Sequence, residues 1–335
     1  MIHGRRDLRC DDLPTPEPGA GQVRLRMAYA GVCGSDLHYY FDGANGAFVV
    51  REPMAPGHEV SGVIDLDPSG TLAPGTPVTL HPATFGHCGR GLEQHPHLWP
   101  QGAYLGSAST WPHTQGGMVE YLVADLAMVR PLPAGLSLAD AALAEPLAVA
   151  LHGINVAGGV EGARVLISGS GPIGLLAAAG ALARGAESVT CTDVLPQPLE
   201  RARALGVQRT LQVGVDEVPG EAYDVVLECS GALPAINDAL RCVRRAGVVA
   251  QLGMLPSGTQ PFDLASVITK EVQVRGCFRF RDEIDEAIAL LAATPSIASV
   301  VTHTFDADDA VAAFEAARDS ARSGKVLVRL WGADA

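Results

Sequence analysis

Ala163-Arg164-Val165-Leu166-Ile167-Ser168-Gly169-Ser170-Gly171-Pro172-Ile173-Gly174 reads as an apolar strand running into a glycine turn. Leu175 to Ala183 continues it as an apolar, alanine-rich helix. A lone G-x-G-x-x-G is a weak signal, but between a strand and a helix, with an acid about 20 residues on, it is strong. That acid is Asp193, directly after the next strand, Ser188 to Thr192. Gly169 permits the tight turn, Gly171 lets backbone approach a pyrophosphate, and Gly174 lets helix and strand pack closely. Pro172 and Ile173 open the helix, whose unpaired N–H groups and dipole favour phosphate. Asp193 is expected to hydrogen-bond the adenosine ribose. Its charge repels a 2′-phosphate and no Arg or Lys follows before Arg201, so NAD is expected over NADP. Glycines serving only a strand–helix turn are the plainer alternative, and the spacing argues against it.

Outward from this turn the pattern repeats. Helix Pro196 to Leu205, strand Asp224 to Glu228, helix Leu233 to Val243 and strand Val248 to Leu252 follow in order. Continuously apolar strands alternating with helices imply a doubly wound parallel sheet covered on both faces. Leu138 to Leu143 and Pro146 to Ala157 read as helical before it, and Glu283 to Ala293 after it. Upstream of Glu145 the chain is rich in Gly, Pro and short β-branched runs. Gln22 to Tyr29, Val60 to Leu66 and Val119 to Val123 read as half-buried strands of a folded-over β domain or partial barrel. Phe85 to Pro112 lacks periodicity and reads as a lobe or functional loop. The tail strand Lys325 to Leu330 is expected to return to the β domain. The expected division is 1–145, completed by 295–335, and 146–294.

The 335 residues suffice for two cores, and 47% are hydrophobic. A net charge of −13 argues against nucleic acid or an anionic membrane as partner. No apolar run is long enough to span a bilayer and Met1 to Arg6 lacks a signal-peptide core, so a cytoplasmic location is expected. Seven scattered cysteines suit reduced thiols, some of them ligands, better than disulfides.

Val32-Cys33-Gly34-Ser35-Asp36-Leu37-His38-Tyr39-Tyr40 packs a thiol, a hydroxyl, a carboxylate, an imidazole and two phenols into nine residues. Alone, Cys33 reads equally as a buried thiol, since free cysteine behaves as a small hydrophobe. Gly57-His58-Glu59 and Ala144-Glu145-Pro146 supply the missing partners. Cys, His and carboxylate together can bind zinc and leave a fourth position for water or substrate. Taken singly, His58 also fits a satisfied buried histidine, Glu59 a surface charge and Glu145 a helix-capping acid.

Gly31-x-Cys33-Gly34-Ser35-Asp36-x-His38, Gly57-His58-Glu59-x-x-Gly62, Glu145-Pro146-Leu147 and the glycine turn together resemble the zinc-dependent medium-chain alcohol and polyol dehydrogenases. The resemblance runs in order over almost the whole chain. It implies a GroES-like partial β-barrel catalytic domain beside a Rossmann domain. Glu145-Pro146-Leu147 resembles the sorbitol/polyol branch, where alcohol dehydrogenases carry a cysteine. Cys33 to Tyr40, Leu105 to Ser107, Trp111 to Gly117, Ala144 to His152 and Arg275 to Phe280 resemble the L-idonate 5-dehydrogenases more closely. Pro68 departs from the general family signature, where a small residue is usual, and resembles the shorter idonate version. The resemblance implies Cys33, His58 and Glu59 as zinc ligands, with Glu145 binding directly or through the metal's water. It implies Ser35 and His38 as a proton path and Tyr39 and Arg279 as substrate contacts. The expected substrate is a sugar acid, L-idonate, with a neutral polyol as the alternative, and the expected assembly is a homodimer or homotetramer.

Most relatives hold a second, structural zinc with four cysteines. The matching positions here are Phe85, Cys88, Gly91 and Trp99, and one thiolate cannot hold tetrahedral zinc. One zinc per chain is therefore expected, with Phe85 and Trp99 packing in place of the second. His87, His95 and His97 with Cys88 match no closed ligand set. A nucleotide-binding sensor without catalysis, or zinc-independent quinone-reductase-like chemistry, would predict decay of ligands that this chain retains.

Overall fold

Strand Gln22–Gly31 alternates polar and apolar residues at first and is wholly buried from Met27 onward. It pairs along its length with Glu59–Leu66, at its start with Tyr121–Asp125, and at its end with Lys325–Arg329. The last two pair with separate stretches of it, residues 22–26 and 29–31, and the pairing with Glu59–Leu66 carries register breaks beside Leu25 and Tyr29. Gly62 lies opposite Met27, and a Cβ there would come within 2.4 Å of the Arg26 carbonyl oxygen. The close crossing therefore requires glycine.

The structure, a computed structural model, describes residues 1–331 and contains two units. The first comprises Met1–Glu145, Ile284–Asp319 and the tail from Lys325. Its main sheet runs in the order Val129–Pro131, Pro77–Leu80, Glu59–Leu66, Gln22–Gly31, Lys325–Arg329, Val301–Asp306, with Tyr121–Asp125 folded onto Gln22–Gly31. Only the last pair is parallel. Val23, Leu25, Met27, Val60, Ile64, Val78 and Leu80 form the centre of its core. This is the expected GroES-like partial barrel.

The second unit comprises Pro146–Glu283 and Ser320–Gly324. Its six parallel strands run Arg209–Gln212, Ser188–Asp193, Arg164–Ser168, Tyr223–Glu228, Val243–Gln251, Gln273–Gly276. In chain order that is 3-2-1-4-5-6, the doubly wound Rossmann arrangement. Helices Pro172–Ala183, Pro196–Ala204, Leu233–Cys242 and Leu264–Lys270 make the crossovers. Among the described residues no helix is long and apolar enough to cross a membrane.

Two segments lie in other units than expected. Helix Ile284–Ala293, read as the end of the cofactor domain, belongs to the first unit. It buries Ile284, Ala287, Ile288 and Leu291 and packs against helix Leu138–Ala141. Ser320–Gly324 lies conversely with the second unit, where the Arg201 guanidinium donates to the carbonyls of Ser320 and Ala321.

Candidate metal centre and dinucleotide turn

Cys33 follows the central strand and stands at the N-cap of helix Gly34–Asp42, while Glu59 opens the adjacent strand with His58 just before it. Pairing sets Glu59 opposite Gly31, two positions before Cys33. The register thereby brings together donors distant in sequence. One ligand atom from each of Cys33, His58 and Glu59 lies within 4.8 Å of the others, and no other such group occurs among the described residues. A Cβ on Gly31 would fall 2.0 Å from Glu59 Oε2, so glycine makes the room for that carboxylate. Asp36, fully buried, accepts the Cys33 N–H at 3.0 Å through Oδ2 and the Gly57 N–H at 3.1 Å through Oδ1. One side chain thus fastens both ligand segments.

The cluster is rich in negative charge. Lys325, 3% exposed, donates to Glu59 Oε1 at 2.6 Å and to the Val32 carbonyl at 3.2 Å. Glu145 is buried, and its Oε1 accepts from the Tyr104 hydroxyl at 2.5 Å. The Tyr104 ring stands edge-on to His58, centroids 5.4 Å apart. Burial raises the carboxyl pKa of Asp36 and of Glu145. Burial pulls the His58 imidazole down, but the Cys33 sulfur, Glu145 and Asp36 around it together lift it well above its ordinary value. His58 Nδ1 and Glu59 Oε2 are buried with no hydrogen-bond partner among the described residues. Leaving such atoms unpaired costs about 1–3 kcal/mol each. Unpaired buried donors amid surplus negative charge fit a divalent cation, and thiol, imidazole and carboxylate suit zinc.

Ser35 is half-buried on the first turn of helix Gly34–Asp42. His38 is exposed and its Nδ1 lies 3.1 Å from Asp42 Oδ2. No hydrogen bond joins Ser35 to His38 among the described residues, so the sequence-expected proton path has no direct link. Tyr39 is 2% exposed. Its hydroxyl accepts the Ala108 N–H at 3.1 Å and lies 3.4 Å from Ser107 Oγ, so Tyr39 packs inside the first unit. Sequence reading assigned no role to Asp36, Tyr104 or Lys325. Lys325 directly precedes the apolar run Val326, Leu327, Val328, which was its one visible signal.

In the lobe, the Phe85 and Trp99 rings meet edge-to-face at 6.5 Å and Trp99 Nε1 donates to the Leu92 carbonyl at 2.7 Å. Cys88 is exposed, its sulfur 3.6 Å from the Gly89 carbonyl.

In the second unit, Gly169 has φ 91°, and a Cβ there would strike Ser230. A Cβ on Gly174 would lie 1.9 Å from the Gly169 carbonyl oxygen. Gly171 is the N-cap of helix Pro172–Ala183, with open space beside it, and Pro172 and Ile173 form the first turn. Asp193 ends its strand, and its two oxygens accept the N–H groups of Ser170 and Leu195 at 2.9 Å. The carboxylate is thereby held at the turn. Arg279 is half-buried at φ 54°, with its guanidinium 4.9 Å from the Phe278 ring centroid.

Residues 19–134 match the family model of the alcohol dehydrogenase GroES-like domain, and residues 172–293 match that of the zinc-binding dehydrogenases. The L-idonate 5-dehydrogenase (NAD(P)(+)) of Escherichia coli K12 is 35% identical over 274 residues, covering 80% of each chain. This chain belongs to the zinc-dependent medium-chain dehydrogenases. Within that family it is also 32% identical to the sorbitol dehydrogenase of Homo sapiens over 332 residues, 94% of this chain and 91% of that one. The crystal structure of the Escherichia coli L-idonate 5-dehydrogenase superposes with a TM-score of 0.90 at 30% identity, covering 98% and 96% of the two chains. The medium-chain dehydrogenases of this group are zinc- and NAD(P)-dependent, and the present chain is an alcohol/polyol dehydrogenase of their polyol branch.

Proposed function

We propose that this dehydrogenase oxidises a secondary alcohol of a sugar acid, L-idonate to 5-dehydro-D-gluconate, with NAD as hydride acceptor. The observation that carries the reading is the cluster of half-buried Cys33 with buried His58 and Glu59, whose Glu59 Oε2 and His58 Nδ1 lack hydrogen-bond partners among the described residues. In this reading these three hold one zinc, with Glu145 beside it. The metal supplies Lewis acidity, which lowers the pKa of a bound alcohol. Ser35, two residues from Cys33, accepts the hydroxyl proton as it gives up its own, which passes through water to exposed His38 and on to solvent. Gly169, Gly171, Pro172, Ile173 and Gly174 receive the pyrophosphate, and Asp193 receives the adenosine ribose and disfavours a 2′-phosphate.

Substrate choice turns on Arg279, whose guanidinium suits a sugar-acid carboxylate. Its non-glycine residue at positive φ is a conformation that costs about 1–3 kcal/mol and clusters at functional sites. Tyr39 is the second proposed contact. The likeness to sorbitol dehydrogenases over 94% of the chain favours a second reading, a neutral polyol such as sorbitol, L-iditol or xylitol. NADH formation across sugar acids and polyols, repeated with NADP and with a chelator, tests both. Faster turnover of polyols than of every sugar acid would overturn the first reading, and activity indifferent to chelation would overturn both. Under the sugar-acid reading Arg279→Ala weakens L-idonate far more than a neutral polyol.

The proposal extends to one zinc per chain. It is supported by the Phe85–Trp99 packing where relatives place structural cysteines, and elemental analysis of dialysed protein giving two zinc per chain would refute it. It extends also to a homo-oligomer in the cytoplasm, with neither nucleic acid nor membrane as partner. Support comes from the free thiols, the net charge of −13, and the edge strand Gln273–Gly276 beside exposed Leu264 and Ile268.

A further inference from the structure

Glu145 differs from the other acids around the metal centre. It is buried and bonded to a tyrosine whose ring packs on His58, yet it stands outside the tight set formed by Cys33, His58 and Glu59. What holds it is Tyr104, a residue of the lobe and not of the motif segments. Strand Ala103–Tyr104 pairs with Ala83–Thr84, which anchors the Tyr104 backbone. Two residues later Gly106, at φ 63°, lies so close to the His58 loop that a Cβ would come within 2.8 Å of the Gly57 nitrogen. The phenol is therefore delivered by a segment braced against the ligand loop itself. Its ring packs edge-on to His58 and its hydroxyl donates to Glu145 Oε1 at 2.5 Å.

We infer that Tyr104 is a positioning residue that holds Glu145 off the metal, so that three protein ligands bind and the fourth position stays open for water or alcohol. A buried carboxylate deprived of its donor must find another partner, because leaving it unpaired is costly. In loaded protein a metal with a vacant fourth position offers that partner. Removing the phenol hydroxyl therefore turns Glu145 into a fourth ligand, tightening the metal and closing the open position. An ordinary supporting hydrogen bond behaves in the opposite sense, since its loss weakens metal binding by about 10–100-fold.

The inference rests on the zinc reading proposed above, and the test separates the two. Apoprotein is titrated with Zn2+ against a chromophoric chelator, and with Co2+ while its visible ligand-field absorption is recorded. Tyr104→Phe keeps the ring and the His58 contact, and thermal melting of the apoprotein checks that it folds. The expected result is Zn2+ binding tightened about tenfold, equivalent to about 1.4 kcal/mol, an altered Co2+ spectrum and lower turnover. In Tyr104→Phe/Glu145→Gln the tightening is expected to disappear, because the amide is a poorer ligand. Unchanged or weakened Zn2+ affinity in Tyr104→Phe, or tightening that persists without the Glu145 carboxylate, overturns the role of Tyr104 and leaves the zinc reading standing. Wild-type apoprotein that takes up neither metal overturns both.

Discussion

Lys325 Nζ donates to Glu59 Oε1 at 2.6 Å, with both side chains at most 3% exposed. A buried ammonium and a buried carboxylate are each costly alone and tolerable as a pair. Lys325→Met strands the Glu59 charge and is expected to destabilise the apoprotein by about 3 kcal/mol in urea unfolding. Adding Glu59→Gln is expected to recover much of that loss. Equal stability of the single and double variants would show that the pair is not what Lys325 contributes.

Gly31→Ala places a methyl 2.0 Å from Glu59 Oε2, and the carboxylate has to move. The expected outcome is protein that folds with a cost of about 1–3 kcal/mol but retains little zinc after dialysis. Full zinc content and activity in this variant would show that Glu59 Oε2 is not a ligand.

Gly174→Ala sets a Cβ 1.9 Å from the Gly169 carbonyl oxygen, a backbone atom that cannot step aside. The turn is expected to open and NADH affinity to fall at least about tenfold, a loss of about 1.4 kcal/mol. Quenching of protein fluorescence or enhancement of NADH fluorescence reads this directly, with zinc content as the unaffected control.

Glu283 supplies the pH dependence. Burial would raise its carboxyl pKa, but bonds from His152 at 2.8 Å, Asn155 at 2.9 Å and the Arg281 N–H hold it far below the ordinary range. A depressed acid stabilises the fold above its unfolded value of about 4.3, and that stability is lost as pH falls toward the folded value. Glu283→Gln is expected to be less stable than wild type by about 3 kcal/mol near neutrality, with the gap narrowing below about pH 4. A gap independent of pH would indicate lost packing instead of a lost charge.

Much of the fold was legible because its signals are local. Strand Arg164–Ser168, the glycine turn and helix Pro172–Ala183 carry their periodicity and turn chemistry within one short stretch. Strands Arg209–Gln212 and Gln273–Gly276 escaped notice because polar residues dominate sheet edges. Helix Ile284–Ala293 was recognised as a helix, but nothing in its own residues names the unit it packs against. At the site, Cys33, His58 and Glu59 announce themselves by ligand chemistry. Asp36, Tyr104 and Lys325 act through hydrogen bonds that exist only once distant segments meet, and the Lys325–Glu59 bond joins residues 266 positions apart. The proposed proton path is the reverse case, since Ser35 and His38 are neighbours in sequence but no hydrogen bond joins them among the described residues.

The ligand-bearing segments lie in the first half of the chain, while the lysine that balances Glu59 and grips Val32 sits on the last strand. During synthesis a ribosome therefore releases the cysteine, histidine and glutamate long before their counter-charge. Until Lys325–Arg329 slides in beside Gln22–Gly31, the nascent pocket is a half-built acid cluster on an open sheet edge. The metal centre stays incomplete until Lys325–Arg329 has been made, and a product truncated before that strand is born unable to finish its pocket.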